Sequence, residues 1–332
     1  MTAPETLLLT RREVAALLSL DECIEAVEAA LLAHAAGRTV PPSVLALQVP
    51  GGGLHVKAAG LASDGRGYLA AKLNANFPAN PERHDLPTIQ GVIALVDAGD
   101  GRLLALMDSI EITALRTAAA TAVAARRLAR PDASVATIVG CGRQGRVQLQ
   151  ALARVRPLRR VLAFDSAPDR AAAFAREMSA ALAIQVDVAP SAAAAAAAGD
   201  ICVTCTTSRR PVLAAADVRP GTFVAAVGAD SPDKQELDPA LLARATVVVD
   251  HLGQCAAFGE LHHALAAGVI GLEQVHAQLH ELVAGARPGR TTEDEIAVFD
   301  STGTALQDVA AAALVFEKSI RLGHAAKVAL GA

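Results

Sequence analysis

Apolar positions along this chain follow two successive rhythms. Over residues 11–36, Val14, Leu17, Leu18, Cys23, Ile24, Val27, Ala30 and Leu31 recur at helical spacing, with Asp21 as a candidate cap, and predict two short helices. From about 43 to 108, short runs rich in Val, Ile and Leu (43–49, 54–58, 68–73, 89–96 and 102–107) alternate with turn clusters such as Pro50-Gly51-Gly52-Gly53, Asp64-Gly65-Arg66-Gly67 and Asp97-Ala98-Gly99-Asp100-Gly101. That pattern predicts a largely antiparallel sheet. Thr113 to Arg130 is a run of strong helix formers stopped by Pro131, long enough to lead from this unit to a second one.

Beyond it, apolar runs at 134–139, 160–164, 184–188, 200–206, 222–227 and 246–250 are interleaved with helical stretches at 143–156 and 168–182. An alanine tract between Ser191 and Gly199 reads as a further, capped helix. Such alternation predicts a Rossmann-type, doubly wound parallel sheet, and hence an α/β protein. Residues 305–321 form a last amphipathic helix.

Composition narrows the function. With 332 residues, 52% hydrophobic and 19% charged, the chain can bury one or two sizeable cores. A net charge of -4 and 2% aromatics offer neither a basic surface for phosphate backbones nor stacking platforms, so nucleic acid is not an expected partner. The mean hydropathy of +0.36 owes much to alanine. Charge, Gly or Pro interrupts every long apolar stretch before the ~18 residues a membrane span needs, so no membrane association is expected. Met1-Thr2-Ala3-Pro4-Glu5 lacks a basic segment leading into an apolar one, which makes cytoplasm the expected location. Five cysteines at irregular spacing argue against a disulfide framework and fit a reducing compartment.

Gly140-Cys141-Gly142-Arg143-Gln144-Gly145 follows the apolar run Val135–Val139 and opens a helix. In that context Gly140 permits the tight turn, Gly142 lets backbone approach a pyrophosphate, and Gly145 allows close helix–strand packing, while the helix N-terminus, with Arg143 and Gln144, faces the phosphates. A glycine turn alone is weak evidence. Asp165, at the end of the next strand and about 20 residues on, is the acid expected to accept from the ribose hydroxyls, and it makes the combination specific. Its charge favours NAD, with NADP left open by Arg143 and Arg170. The later strand ends, with Thr204, Thr206 and Gly228, are where nicotinamide and substrate are expected.

Lys72, Lys57 and Arg116 lie in otherwise apolar settings, where a cation is costly unless paired or liganded; each is either an anchor for a substrate carboxylate or a salt-bridged side chain. Asp230 is either a general acid/base at a strand end or a turn cap before Ser231-Pro232. Cys202 and Cys205, three apart in a strand, point to opposite faces, and His262, His263 and the helically spaced His276 and His280 lack a zinc motif, so no metal is expected.

Lys72-Leu73-Asn74-Ala75-Asn76-Phe77-Pro78, Leu86-Pro87-Thr88, Ile112-Thr113-Ala114-Leu115-Arg116-Thr117-Ala118-Ala119, the glycine fingerprint, Val227-Gly228-Ala229-Asp230 and Phe299-Asp300-Ser301-Thr302-Gly303 together resemble the ornithine cyclodeaminase/mu-crystallin family over nearly the whole chain. The resemblance implies a homodimer with a discontinuous substrate-binding and dimerisation domain (1–116 and 303–332) around an NAD(P)-binding domain (117–302). It implies that Lys72 and Arg116 hold the carboxylate of a small imino or amino acid, that Asp230 exchanges a proton with its nitrogen, and that Thr88 and Thr117 lie near the cofactor; Lys72 and Asp230 are the expected catalytic pair.

Departures from the pattern select a branch. Ornithine cyclodeaminases carry an arginine after the Thr-Pro that matches Val40-Pro41-Pro42, and a Glu-Leu-Met-Pro where this chain has His55-Val56-Lys57-Ala58. His55 and Lys57 are similar instead to the reductases of cyclic ketimines such as Δ1-pyrroline-2-carboxylate, with Lys57 and His55 as substrate ligands. Ornithine cyclodeamination, an acyclic amino-acid dehydrogenase such as alanine dehydrogenase, and a mu-crystallin-like binding protein are the alternatives.

Overall fold

A computed structural model of the chain describes residues 5–62, 66–323 and 325–330; the turn expected at Asp64-Gly65 and the N-terminal segment at positions 1–4 lie outside them. The chain divides into two compact units, Met1–Arg116 with Thr304–Ala332, and Thr117–Gly303.

In the first unit, seven strands form one sheet in the order Ala326–Val328, Thr6–Leu9, Leu103–Asp108, Ile89–Asp97, Gly67–Asn76, Gly52–Ala62, Thr39–Val49. The five expected strands pair antiparallel. Thr6–Leu9 and Ala326–Val328 extend the sheet, the former parallel to Leu103–Asp108; at four and three residues they carry too little alternation to be read from sequence.

Period-two alternation sorts the side chains of this sheet. Lys57, Ala59, Ala70, Lys72, Ile93, Leu95 and Met107 share the buried face, which packs against the helices Leu20–Ala35 and Ala305–Leu322. Leu45, Leu47, Leu69, Leu73 and Val92 occupy the opposite face and are 36–56% exposed.

Two helix starts differ from expectation. Ser19, not Asp21, caps the Leu20–Ala35 helix, because its hydroxyl and the Glu22 carboxylate satisfy each other's backbone N–H in a capping box; Asp21 is already in the first turn. The bridging helix runs Ser109–Leu128. It begins four residues before Thr113 because the Asp108 carboxylate, at the end of its strand, accepts from Ile110 N at 2.9 Å.

The second unit holds a parallel eight-stranded sheet, ordered Ala277–Gln278, Thr246–Val249, Ala297–Asp300, Phe223–Ala226, Ile201–Thr204, Val135–Val139, Arg160–Phe164, Gln185–Val188. Successive strands run outward on one side of Val135–Val139 and then return to its other side, so its carboxyl end is the switch point at which such sheets bind ligands. Ala297–Asp300, buried throughout and therefore without alternation, inserts between Phe223–Ala226 and Thr246–Val249.

Gly199 ends the alanine helix with φ -83°, not as a left-handed cap. A Cβ there would lie 2.5 Å from Thr137 Oγ1, so close approach is what requires glycine. His276 and His280 share no helix: only His280 lies on Leu279–Val283, and His276 N bonds Val247 O.

Candidate active site

The switch point of the second unit carries the glycine loop. Gly140 has φ +104°, and a Cβ on it would lie 2.7 Å from Cys205 O; one on Gly145 would lie 2.3 Å from Gly140 O. Gly142, by contrast, has no atom within 4 Å of where its Cβ would be and brings no capping side chain to the Arg143–Val155 helix that it starts. A tight turn, an open backbone and a helix N-terminus aimed at the same place fit a dinucleotide pyrophosphate.

Asp165 follows the neighbouring strand, with its side chain 7% exposed. Its carboxylate accepts from Cys141 N and Ala167 N, each at 2.9 Å, so the acid also braces the loop. A carboxylate has about four lone-pair sites, which leaves acceptor capacity for hydroxyls. Arg170 Nη1 is 3.8 Å from Asp165, at the solvent edge.

Beside the loop lies a network that the sequence does not announce. The fully buried Glu236 accepts from Thr204 Oγ1 at 2.8 Å, Thr206 N at 2.5 Å and Gly228 N at 2.8 Å. Burial pushes its carboxyl up while these donors pull it down. Thr204 is therefore a buried donor that joins strand ends, its hydroxyl committed to Glu236. Thr206 Oγ1 accepts from Ser208 N at 3.1 Å, and a Cβ on Gly228 would lie 2.5 Å from the Glu236 carboxylate. Glu260 in turn accepts from Glu236 N and Leu237 N. Asp250, at the end of another strand, accepts from Ser301 Oγ, Thr302 Oγ1 and Gly303 N.

Asp230 sits just beyond the end of Phe223–Ala226, half-exposed, and Lys234 Nζ is 2.5 Å from its carboxylate. Lys234 is held in turn by its carbonyl, which lies 2.7 Å from His263 Nε2. Adjacent to it, His262 Nδ1 lies 3.3 Å from Ala256 O. Among the described residues no group of three or more His, Cys, Asp or Glu could hold a metal, and no helix is long and apolar enough to cross a membrane.

The first unit gathers the cations. Lys57 and Lys72 face each other across neighbouring strands, and both are buried, at 7% and 3% exposure. Like charges directly opposite on a sheet destabilise it, so a counter-charge is required. Asp308, in the first turn of the Ala305–Leu322 helix, provides it: Lys72 Nζ lies 2.7 Å from Oδ2, and Arg116 Nε donates to Oδ1 at 2.9 Å. Gln307 Oε1 accepts from Arg116 Nη1 at 2.9 Å. Burial, reinforced by Arg116 and Lys57, brings Lys72 down to about 7 although Asp308 opposes the fall. Asp308 is buried too, yet Arg116 and Lys72 hold it below the usual carboxylate range.

His55 lies two residues before Lys57 on the same strand face, opposite Asn74. Thr117 is buried in the bridging helix next to Arg116. Thr88 precedes the Ile89–Asp97 strand, half-buried, and its carbonyl accepts from Phe77 N. Lys72 and Arg116 thus meet at Asp308, and Arg116 also at Gln307, two residues of the tail motif Ser301–Asp308 to which the sequence alone assigns no role. Their signals were an acid and an amide opening an otherwise apolar helix and their place in that motif, which resembles the reductase branch.

Residues 4–321 match the ornithine cyclodeaminase/mu-crystallin family. The chain is 40% identical to an alanine dehydrogenase of Archaeoglobus fulgidus over 98% of each chain. Its fold is similar to that of an archaeal alanine dehydrogenase dimer with bound NAD (TM-score 0.93, 40% identity, 98% of this chain and 99% of that one). It is equally similar to the Δ1-pyrroline-2-carboxylate reductase of Thermococcus litoralis in complex with NADH and L-proline (TM-score 0.93, 35% identity, 97% and 100%).

Proposed function

The chain belongs to the ornithine cyclodeaminase/mu-crystallin family, and from that premise we propose that it reduces a small cyclic imino acid of the Δ1-pyrroline-2-carboxylate kind to the L-amino acid, such as proline. The observation that carries this reading is the buried basic cluster of the first unit, where Lys72 and Arg116 share one carboxylate, Asp308, and Lys57 stands opposite Lys72 on the neighbouring strand. Arg116 and Lys72 have more donors than Asp308 and Gln307 take, and an imino-acid carboxylate is an anion of fitting size to accept from them.

In this reading Arg116, Lys57 and Lys72 hold the substrate carboxylate, with His55 beside them. Lys72, brought near neutrality, donates or accepts a proton at physiological pH. Asp230, tied to Lys234, exchanges a proton with the nitrogen as the imine becomes an amine. Gly140, Gly142, Gly145 and Asp165 hold the dinucleotide, which when bound supplies the hydride for the imine carbon. Asp165 repels a 2′-phosphate, so NADH is the favoured reductant and NADPH the second choice. Ornithine cyclodeamination is disfavoured: the substrate's second amine needs a carboxylate, and Asp308 already bonds Lys72 and Arg116.

Alanine dehydrogenase is the second reading, favoured by the Archaeoglobus relative. Comparing kcat/KM for the cyclic imine against pyruvate with ammonia, both with NADH, separates the two; ammonia release from L-ornithine with NAD reports the lyase. A higher value for the cyclic imine is expected, and a higher value for pyruvate overturns it. We further propose that two copies associate through the sheet face bearing Leu45, Leu47, Leu69, Leu73 and Val92; the archaeal alanine dehydrogenase that the chain resembles is a dimer.

A further inference from the structure

We propose that Asp308 is the positioning residue of the cation cluster: its carboxylate fixes Lys72 Nζ and Arg116 Nε toward one locus and sustains the positive charge of Lys72. The inference rests on reading that cluster as the anchor of the substrate carboxylate. Oδ1 of Asp308 accepts from Lys72 Nζ and from Arg116 Nε, both at 2.9 Å, so one atom sets the spacing of two cations that are 44 residues apart in the chain. Gln307, the preceding residue, takes a second guanidinium donor. Arginine has five donors and lysine three, so both cations keep donors for another anion.

Asp308 suits this duty because the N-terminal turn of a helix favours a carboxylate. The charged and titratable groups around Lys72 and its partners come from four elements. Lys57 lies on the Gly52–Ala62 strand, Arg116 on the bridging helix and Asp308 on the C-terminal helix, while Cys23 on the Leu20–Ala35 helix faces Arg116 and Asp308. Burial pushes the Cys23 thiol up to about 12, which keeps it neutral. Asp308 is therefore the group in this set that opposes the loss of the Lys72 proton.

The test follows the lysine side chains by carbon-13 NMR in the full-length protein and in Asp308→Asn. The chain has five lysines (Lys57, Lys72, Lys234, Lys318 and Lys327), so the spectrum is assignable by single substitutions. The Lys72 midpoint is expected to move to lower pH by about 1 to 3 pH units in the variant. KM for the imino acid is expected to rise at least about tenfold while NADH affinity holds, as lost anchoring of a substrate carboxylate implies. An unmoved Lys72 midpoint overturns the inference. The titration needs no substrate, so a wild-type protein idle on imino acids would remove the functional reading while Asp308's hold on Lys72 is still read directly. If Asp308→Asn fails to fold, the double variant Lys72→Met/Asp308→Asn, which restores the local charge of the wild type, is expected to recover a cooperative thermal transition; failure to recover it overturns the inference as well.

Discussion

Lys72 should make the protein less stable than a neutral side chain would. Its side chain is 4% exposed beside two other cations, and its pKa falls from 10.5 to about 7. A base whose folded pKa lies below its unfolded pKa contributes stability that is present above the unfolded value and is lost as pH falls through the folded one; the window here is pH 10.5 down to pH 7. The full loss over that window is roughly 5 kcal/mol. Lys72→Met removes the titration and keeps the volume, while Asp308 retains Arg116 at 2.9 Å. The variant is expected to be more stable than wild type at pH 7 and to be inactive on imino acids. Its advantage should shrink by about 2 kcal/mol between pH 7 and pH 9, because only the wild type gains stability there. Urea unfolding followed by far-ultraviolet circular dichroism at several pH values reads this directly. A stability difference that stays constant from pH 7 to pH 9 would mean that Lys72 titrates like an exposed lysine, and would refute the reasoning.

Asp230→Asn should lower kcat by roughly 10²- to 10⁴-fold while leaving NADH affinity unchanged, read by steady-state kinetics beside a fluorescence titration; equal kcat removes Asp230 from proton transfer. Gly145→Ala puts a Cβ 2.3 Å from Gly140 O, so the loop must shift and NADH affinity should fall at least about tenfold; the chain has no tryptophan, so NADH emission is measured without tryptophan background. Leu45→Asp, at a residue 56% exposed on the open sheet face, should convert a dimer to monomer in sedimentation velocity; an unchanged sedimentation coefficient places the interface elsewhere.

Local chemistry in the sequence carried most of the architecture. The resemblance drawn from scattered motifs and the Rossmann-type sheet are both borne out. The glycine fingerprint was legible because a tight turn, an open backbone and close packing each demand glycine at a fixed offset. The Ala297–Asp300 strand escaped because a fully buried strand has no polar alternation. Asp308 escaped for a different reason: its partners are 192 and 236 residues away, and a lone acid in a helix's first turn looks like an ordinary dipole-favoured residue until the fold brings Lys72 and Arg116 to it. Glu236 escaped likewise, since nothing local distinguishes a buried acid that joins three strand-end donors from a surface one.

If this chain anchors an imino acid through Lys57, Lys72 and Arg116, it reduces that acid at the expense of NADH. The most direct measurement is the decay of NADH absorbance with purified protein and freshly generated Δ1-pyrroline-2-carboxylate, run beside the Asp230→Asn variant. Decay with wild type, little with the variant, and L-proline as product are expected. A wild-type protein that binds NADH but leaves its absorbance unchanged in the presence of the cyclic imine would contradict this reading.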